Sequence, residues 1–173
     1  MNETLKTLLE RRSVRGYKED LVPAEVLDQI LEAGEYAPSG MGKQGTLMVV
    51  TQNPELVKKL SAMNAAVMGT TSDPFYGAPV ILVVLANKAV PTHVYDGSLV
   101  MGNLMNAAES LGVASIWIHR AKEEFESDFG KKILADLGIQ GEYEGIGHCA
   151  LGYAAEPAKE TTARKENYVY YVR

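Results

Sequence analysis

Apolar residues recur at helical spacing in five segments of the chain, and most of these segments begin with residues that favour a helix start. Asn2 precedes the first segment, Pro23 opens the second, and Asn53 with Pro54 opens the third. Asp96 is the expected cap of the fourth. In the fifth, four apolar side chains are expected to face inward, namely Phe125, Phe129, Ile133 and Leu137. We predict helices over residues 2–10, 23–36, 53–67, 96–112 and 123–138.

Short apolar runs separate these helices and predict buried strands. The strongest is PVILVVLA, and the segment 68–78 has the composition of a loop. We predict strands over residues 46–51, 79–86, 113–118 and 145–153, and the C-terminal residues 167–173 also have strand-like composition. The chain is therefore expected to mix helices and strands in a single domain, residues 1–173, which is long enough to bury a core.

Two apolar segments favour a second copy of the chain as a partner. The fourth predicted helix is apolar or small on most of its faces, which is more than a one-sided surface helix needs. The C-terminal segment NYVYYVR exposes three tyrosines and two valines. Both features are explained if a second chain packs on the helix and receives the tail. We therefore predict an obligate homodimer.

Composition and charge narrow the class of protein further. Apolar residues make up 46% of the chain and charged residues 23%, and the net charge of −5 argues against nucleic-acid binding driven by bulk charge. Cys149 is the only cysteine and cannot form an internal disulfide, so a reducing compartment such as the cytoplasm is expected. The first twelve residues carry no signal-peptide pattern. No apolar run reaches the roughly 18–20 residues that span a bilayer, so no membrane partner is predicted.

The stretch GMGKQG at residues 40–45 matches the dinucleotide-binding pattern G-x-G-x-x-G. That pattern acts in a fixed context, in which a strand precedes the glycines and a helix follows them. Here a predicted helix precedes the glycines and a predicted strand follows, which is the reverse order. A phosphate-binding P-loop is also disfavoured, because Lys43 is followed by Gln44 instead of Ser or Thr.

The best candidate for gripping a phosphate is RRSVR at residues 11–15, directly after the first predicted helix. Arginine guanidinium groups match phosphate oxygens in pairs, and Ser13 adds a hydroxyl donor. The alternative is a solvated basic helix end, where arginine also favours the helix dipole. Arg164 and Lys165 form a second basic pair. It is surface charge unless the tail folds back toward residues 11–15.

The remaining candidate residues give no site of their own. His93, His119 and His148 have no metal-ligand spacing, and one cysteine cannot complete a thiolate site, so no metal is predicted. His148 and Cys149 lie in an apolar strand, which favours a role in the core. No Ser-His-Asp order or nucleophile elbow is present. Single aromatic residues that could stack on a planar ligand are core or rim residues by default.

Four motifs in order make the chain resemble the nitroreductase family, whose members are FMN-dependent flavoproteins. RRSVRGY is similar to the family's RRSxRxF opening, and AGEYAPSGMGKQGTLMVV is similar to its A-x-x-APS-x-x-N-x-QPW-x-F-x-V segment. DGSLVMGNLMNAAESLGVASIWIHRA resembles the family's central helix and following strand, and GHCALGY resembles its closing strand. The resemblance implies an α+β fold with a central mixed β-sheet flanked by helices. It also implies two entwined chains with two FMN molecules in their interface.

The resemblance also implies a role for individual residues. The FMN phosphate would be held by Arg11, Arg12 and Ser13, and by Arg164 and Lys165. Arg15 would reach the N1/O2 edge of the flavin ring. The N5 edge would be passed, chiefly by backbone, by Ile118, His119 and Arg120. The partner chain would line the ring and the ribityl chain with Pro38, Ser39, Gly40 and Met41, and Gln44 would lie near by. GMGKQG is thus expected to approach a flavin, but not as a dinucleotide loop.

The chain departs from the family pattern in the glycine loop. Gly42 stands where the family has Asn, and Gly45-Thr46 stands where it has Pro-Trp. Glycine restricts the backbone least, so the loop is expected to be more flexible and the pocket beside the ring wider.

The activity implied by the resemblance is hydride transfer from NAD(P)H, through FMN, to a flat acceptor such as a nitroaromatic or a quinone, with ping-pong kinetics. Arg15 would stabilise negative charge on the reduced flavin. His119 is a candidate general acid. Two alternatives remain open, namely a different reaction on the same fold (dehalogenation, enone reduction or flavin breakdown) and a non-catalytic FMN carrier or sensor.

Overall fold

The computed structural model describes residues 1–173 and contains six helices, four strands and one short 3-10 turn over Gly40–Gly42. The helices are α1 (Glu3–Glu10), α2 (Ala24–Glu35), α3 (Pro54–Met68), α4 (His93–Ser110), α5 (Ala121–Glu126) and α6 (Asp128–Asp136). The strands are β1 (Thr46–Thr51), β2 (Val80–Asn87), β3 (Ala114–Ile118) and β4 (Tyr143–Gly152). The first three predicted helices and the first four predicted strands are confirmed to within two residues.

Side-chain caps begin two of these helices where the sequence predicts them. Asn2 Oδ1 accepts a hydrogen bond from Leu5 N at 2.9 Å at the start of α1. At the start of α3, Asn53 Oδ1 accepts from Glu55 N at 3.0 Å and Leu56 N at 3.2 Å. These oxygens satisfy N–H groups that have no partner within the helix, and so they fix the residue at which each helix begins.

The other helices differ from the prediction at identifiable residues. The cap of α4 is Thr92, so the prediction of Asp96 as cap is wrong, and Asp96 is instead buried within the first turn. The predicted helix 123–138 is two helices, broken at Ser127. The Ser127 hydroxyl donates to Glu124 O at 2.6 Å and accepts from Gly130 N at 3.2 Å, ending α5 and capping α6. The break rotates the second half, so Leu134 is buried and Leu137 is exposed.

The four strands form one sheet in the order β1-β2-β4-β3, and every neighbouring pair is antiparallel. In the central pair, Val80 lies opposite Leu151, with a register shift between Val84 and Leu85. A parallel pairing occurs as a single bridge between Ser13 and Ser115, where the chain after α1 meets β3. The predicted α+β class is confirmed, and the mixed character of the sheet is limited to this bridge.

The sheet separates two hydrophobic layers. Alternate residues of β2 face α2 and α4 on one side, where Ile30, Met101 and Leu104 are fully buried. The other residues of β2 face α3, α5 and α6, where Leu60 and Phe125 are buried. Because both faces of β2 are covered, its sequence is a continuous apolar run instead of an alternating one.

Glycines in β4 allow the close approach of neighbouring elements. A Cβ at Gly145 would lie 2.2 Å from Ala121 O at the start of α5, and a Cβ at Gly147 would lie 2.2 Å from Trp117 Nε1. Neither contact is tolerable for a real side chain. The sequence GIGHC therefore places α5 directly against the central strand, and this fixes the position of the turn between β3 and α5.

The chain ends differ from the core in their exposure. In helix α1, Leu5, Leu8 and Leu9 are 51%, 51% and 62% exposed, and no residue of this helix is buried. The segment 167–173 forms no strand within the single chain, and its three tyrosines are exposed. No helix has both the length and the apolar character required to cross a membrane.

Cys149 provides a test of the packing around β4. Its side chain is fully buried, and burial raises the pKa of its thiol to about 12. At pH 8 only about one thiol in 10⁴ is then ionised in the folded state. We expect the folded protein to resist a thiol reagent and to react with one equivalent per chain once urea unfolds it. Labelling in the absence of urea that proceeds as fast as that of a model thiol would contradict this packing.

Candidate functional site

The arginine segment after α1 is fixed by backbone contacts to two other parts of the chain. Val14 N donates to Ser115 O at 3.1 Å, Lys18 N donates to Tyr153 O at 2.8 Å, and Ala155 N donates to Gly16 O at 3.0 Å. The buried Tyr17 hydroxyl donates to Val14 O at 3.2 Å. Burial raises the pKa of Tyr17 far above its ordinary value, so the phenol remains a neutral donor. The segment is therefore held between the edge of β3 and the chain that leaves β4.

A cavity of about 610 Å³ opens where this segment meets the C-terminal tail. Arg12, Ser13, Arg15 and Arg164 line it, together with residues 155–162. The tail thus folds back toward residues 11–15. On the sequence alone, this fold-back was required for Arg164 to be more than surface charge. Lys165 does not line the cavity, and its Nζ lies 5.1 Å from the centroid of the Tyr168 ring. We call this opening the arginine cavity.

Several donors around the arginine cavity have no acceptor within the chain. Arg11 does not line the cavity, and its Nη1 is buried and makes no hydrogen bond. Arg12 Nη1 is held by Leu9 O at 2.8 Å and Arg11 O at 2.7 Å, which orients its guanidinium and leaves the other nitrogens free. A buried donor without a partner is costly, and an anion is the group that would supply acceptors to several arginines together. The donor set therefore fits a phosphate.

The glycine loop lines a second cavity on the opposite layer of the fold. This cavity has a volume of about 990 Å³ and is formed by the end of α2, the loop, β1 and α4. Pro38, Ser39 and Gln44 line it, and Gly40 and Met41 lie beside them in the loop. It shares no lining residue with the arginine cavity. Within one chain, the two sets of predicted site residues therefore lie apart.

The glycine loop is tethered, although its composition predicts flexibility. Asp96 Oδ1 accepts from Gly40 N at 3.0 Å, Asp96 Oδ2 accepts from Thr92 Oγ1 at 3.0 Å, and Ser39 Oγ accepts from Gln44 N at 3.1 Å. A Cβ at Gly40 would lie 2.2 Å from Thr92 Oγ1. This glycine therefore serves close packing on the start of α4. Gly42, at φ +63° with open space around it, leaves the middle of the loop free of side chain.

The third set of predicted site residues follows β3. Ile118 is buried, His119 is exposed, and Arg120 adopts a left-handed backbone conformation with φ 76°. Asn64 on α3 donates to His119 O at 2.8 Å and accepts from Arg120 Nε at 2.9 Å. This turn lies on the strand whose other end is bridged to Ser13, so it shares a sheet edge with the arginine segment.

Three polar residues that support these sites were not predicted as such. Asp96 was expected as a helix cap, and Asn64 and Glu124 were not singled out. All three are at most 3% exposed. The available signal was a polar residue on the apolar face of an amphipathic helix. Its partners lie far away in the sequence, so the pattern alone could not reveal what each side chain binds.

Comparisons with known proteins agree with this geometry. The model of the nitroreductase family matches residues 8–71. A putative NADH dehydrogenase/NAD(P)H nitroreductase of Archaeoglobus fulgidus is 30% identical over 123 residues, which cover 68% of each protein. An FMN reductase [NAD(P)H] of Bacillus subtilis is 31% identical over 133 residues, which cover 67% of this chain and 53% of that protein. The match thus spans about half the length of the Bacillus relative.

A solved structure matches the complete chain. The nitroreductase of Bacteroides fragilis, a crystal structure with bound FMN, has a TM-score of 0.90 and 29% sequence identity, and the match covers 100% of both chains. An antiparallel four-stranded sheet between two helical layers is an α+β fold, and it is shared with this FMN-containing structure. This chain belongs to the nitroreductase family.

Proposed function

We propose that the chain binds FMN, with the phosphate in the arginine cavity, and acts as an NAD(P)H-dependent oxidoreductase. The observation that carries the proposal is the donor set of that cavity. Arg12, Ser13, Arg15 and Arg164 line one opening, and Arg11, which precedes Arg12 in the sequence but does not line it, has a buried Nη1 without an acceptor. A phosphate satisfies such a set, and the structural relative from Bacteroides fragilis contains FMN.

The edge of β3 gives the direction in which the rest of the cofactor would extend. Ser115 lies beside Ser13, and Arg120 follows five positions later, about 16 Å along an extended chain. An elongated ligand anchored at the arginine cavity would run along this edge toward His119 and Arg120. The family resemblance assigns the flavin N5 edge to the same residues, so the two arguments support one orientation.

The chain's own residues bind and orient in this proposal. FMN, when bound, supplies the hydride chemistry between NAD(P)H and a flat acceptor such as a nitroaromatic or a quinone. Arg15 places a positive charge in the lining of the cavity, where it would stabilise negative charge on a neighbouring ligand. The carbonyl contacts of Arg12 keep its guanidinium oriented before a ligand arrives, which lowers the entropy lost on binding.

A homodimer would complete the site, because the glycine loop and the arginine cavity lie apart within one chain. A second copy would bring its Pro38–Met41 wall to the flavin. The exposed leucines of α1 and the exposed tyrosines of residues 167–173 are apolar surface that such a partner would cover. Cys149 is a free, buried cysteine, which is compatible with the reducing cytoplasm as the proposed location of the protein.

The function is tested on the purified protein. We expect it to be yellow, to release FMN and not FAD on heating, and to lose its flavin absorbance promptly when NADH or NADPH is added without oxygen. Chromatography identifies the flavin, and a spectrum follows the bleaching. Release of FAD would contradict the assignment of the phosphate site. A bound flavin that neither nicotinamide reduces would identify a carrier instead of an enzyme.

Substitutions separate the roles of the arginines. Arg11→Ala and Arg12→Ala should each weaken FMN binding about ten- to hundredfold, because each removes a charge-assisted hydrogen bond worth roughly 1.5–3 kcal/mol. Arg15→Ala should mainly slow flavin reduction and lower the flavin potential. Lys165→Ala is the matched control, since it removes the same charge next to Arg164 but outside the cavity. Fluorescence titration with FMN measures the affinities.

One outcome would contradict the separate electrostatic role of Arg15. If Arg11→Ala, Arg12→Ala and Arg15→Ala weaken FMN binding equally and leave the potential unchanged, Arg15 is a phosphate ligand and has no separate electrostatic role.

Deleting residues 166–173 tests the homodimer. We expect the deletion to weaken both dimerisation and FMN retention although Arg11, Arg12 and Arg15 are untouched, because the site would then lack its partner wall. Sedimentation velocity and the ratio of flavin to protein absorbance measure the two effects. A monomer that keeps its full FMN content would show that one chain builds the site alone.

A further inference from the structure

A buried polar network lies behind the turn that follows β3. Asn64, Glu124 and His148 are 0%, 1% and 0% exposed. Asn64 Nδ2 donates to Glu124 Oε1 at 2.5 Å and to His119 O at 2.8 Å, and its Oδ1 accepts from Arg120 Nε at 2.9 Å. His148 Nε2 lies 3.2 Å from Glu124 Oε2, although the two atoms are not aligned for a hydrogen bond. Helices α3 and α5, the turn after β3 and the central strand β4 therefore meet in this network, with the Asn64 amide at its centre.

The network determines which way the peptide between His119 and Arg120 faces. In a planar trans peptide the C=O and N–H groups point in opposite directions. Because His119 C=O faces inward to Asn64, the N–H of Arg120 faces away from α3. That N–H donates to no group of the chain. The turn thus presents a free backbone donor on its outer side.

The backbone conformation of Arg120 in this turn is unfavourable for arginine. Arg120 has φ 76°, a left-handed conformation that is unfavourable for residues with a Cβ. Contacts must hold it there, and Asn64 contacts both the carbonyl before it and the guanidinium of its own side chain. Asn64 makes its hydrogen bonds to His119, Glu124 and Arg120 at the same time. The Glu124 carboxylate accepts from Nδ2, which leaves Oδ1 facing Arg120 Nε.

We propose that Asn64 is a positioning residue, which holds the His119–Arg120 peptide so that the Arg120 N–H is presented to an acceptor atom of the ligand along the β3 edge. This rests on the proposed function, in which that acceptor belongs to the N5 edge of FMN. Glu124 and His148 act through Asn64 and touch no ligand. Asn64 is thereby assigned to the site although it is buried and lines neither cavity.

Selective labelling with ¹⁵N-arginine isolates the turn. The chain has six arginines, at positions 11, 12, 15, 120, 164 and 173, so the spectrum of backbone amides is simple. The Arg120 resonance is assigned by its loss in Arg120→Gly. In the native protein we expect FMN to shift the Arg120 amide together with those of Arg11, Arg12 and Arg15.

Asn64→Ala is the decisive variant. Without ligand, the Arg120 amide should lose the relaxation behaviour of an ordered turn. With FMN, the responses of Arg11, Arg12 and Arg15 should persist while that of Arg120 falls by more than half, and Kd should rise about two- to tenfold. An unchanged Arg120 amide in both states would overturn the positioning role. Asn53→Ala is the matched control, because it removes an amide cap from the same helix and should lower stability without changing the Arg120 response.

Unfolding measurements test the proposal independently of any ligand. Glycine adopts φ 76° without a Cβ penalty and also removes the guanidinium contact with Asn64, so Arg120→Gly should reduce the dependence of the turn on Asn64. Asn64→Ala should therefore shift the urea midpoint less in the Arg120→Gly background than in the native chain. Equal shifts in both backgrounds would mean that Asn64 serves only Glu124, and would overturn the proposal. Failure of the native protein to bind FMN would instead contradict the proposed function, whereas the unfolding result and the ligand-free amide would still decide the role of Asn64.

Discussion

The antiparallel pair of β2 and β4 is the constraint on which the other elements depend. These two strands lie at the centre of the sheet and are covered on both faces, so each must satisfy two helical layers at once. β2 does so with large apolar residues on alternate sides. β4 does so with glycines, which let Ala121 and Trp117 approach its backbone. The positions of β3 and α5, and with them the turn at Arg120, follow from that close approach.

The candidate site is attached to this centre by backbone hydrogen bonds more than by side chains. Ser13 is bridged to the edge strand β3, and Tyr17 is bridged to Ala154, just beyond β4. Arg12 uses only its Nη1 in contacts within the chain, which leaves its other guanidinium nitrogens free. The position of the segment is therefore set by the sheet, while donor groups of its side chains remain available to a ligand. The same division holds at Asp96, whose carboxylate fixes the glycine loop through the Gly40 N–H.

Local patterns were sufficient for most of the fold and insufficient for the contacts that complete the site. The structure confirms the predicted caps Asn2 and Asn53 and the predicted strands β1 and β2. These features depend on residues that are close together in the sequence. Ser127 was missed because the apolar period continues on both sides of the break. Asp96 and Asn64 were missed because their partners are more than 50 positions away. The arginine cluster could be found by composition, but whether Arg164 or Lys165 joins it depends on the path of the tail.

The order of strands in the sheet has a consequence for folding while the chain is synthesised on the ribosome. β4 is made after the other three strands, yet it occupies the position between β2 and β3. Until residue 151 has emerged, Val80 has no partner on that side, and the apolar run of β2 is exposed to solvent. Such long-range pairing folds slowly and invites association of unfinished chains. Synthesis of the last strand is therefore the moment at which the nascent chain becomes competent to fold, and a pause before it would prolong the time in which a chaperone is needed.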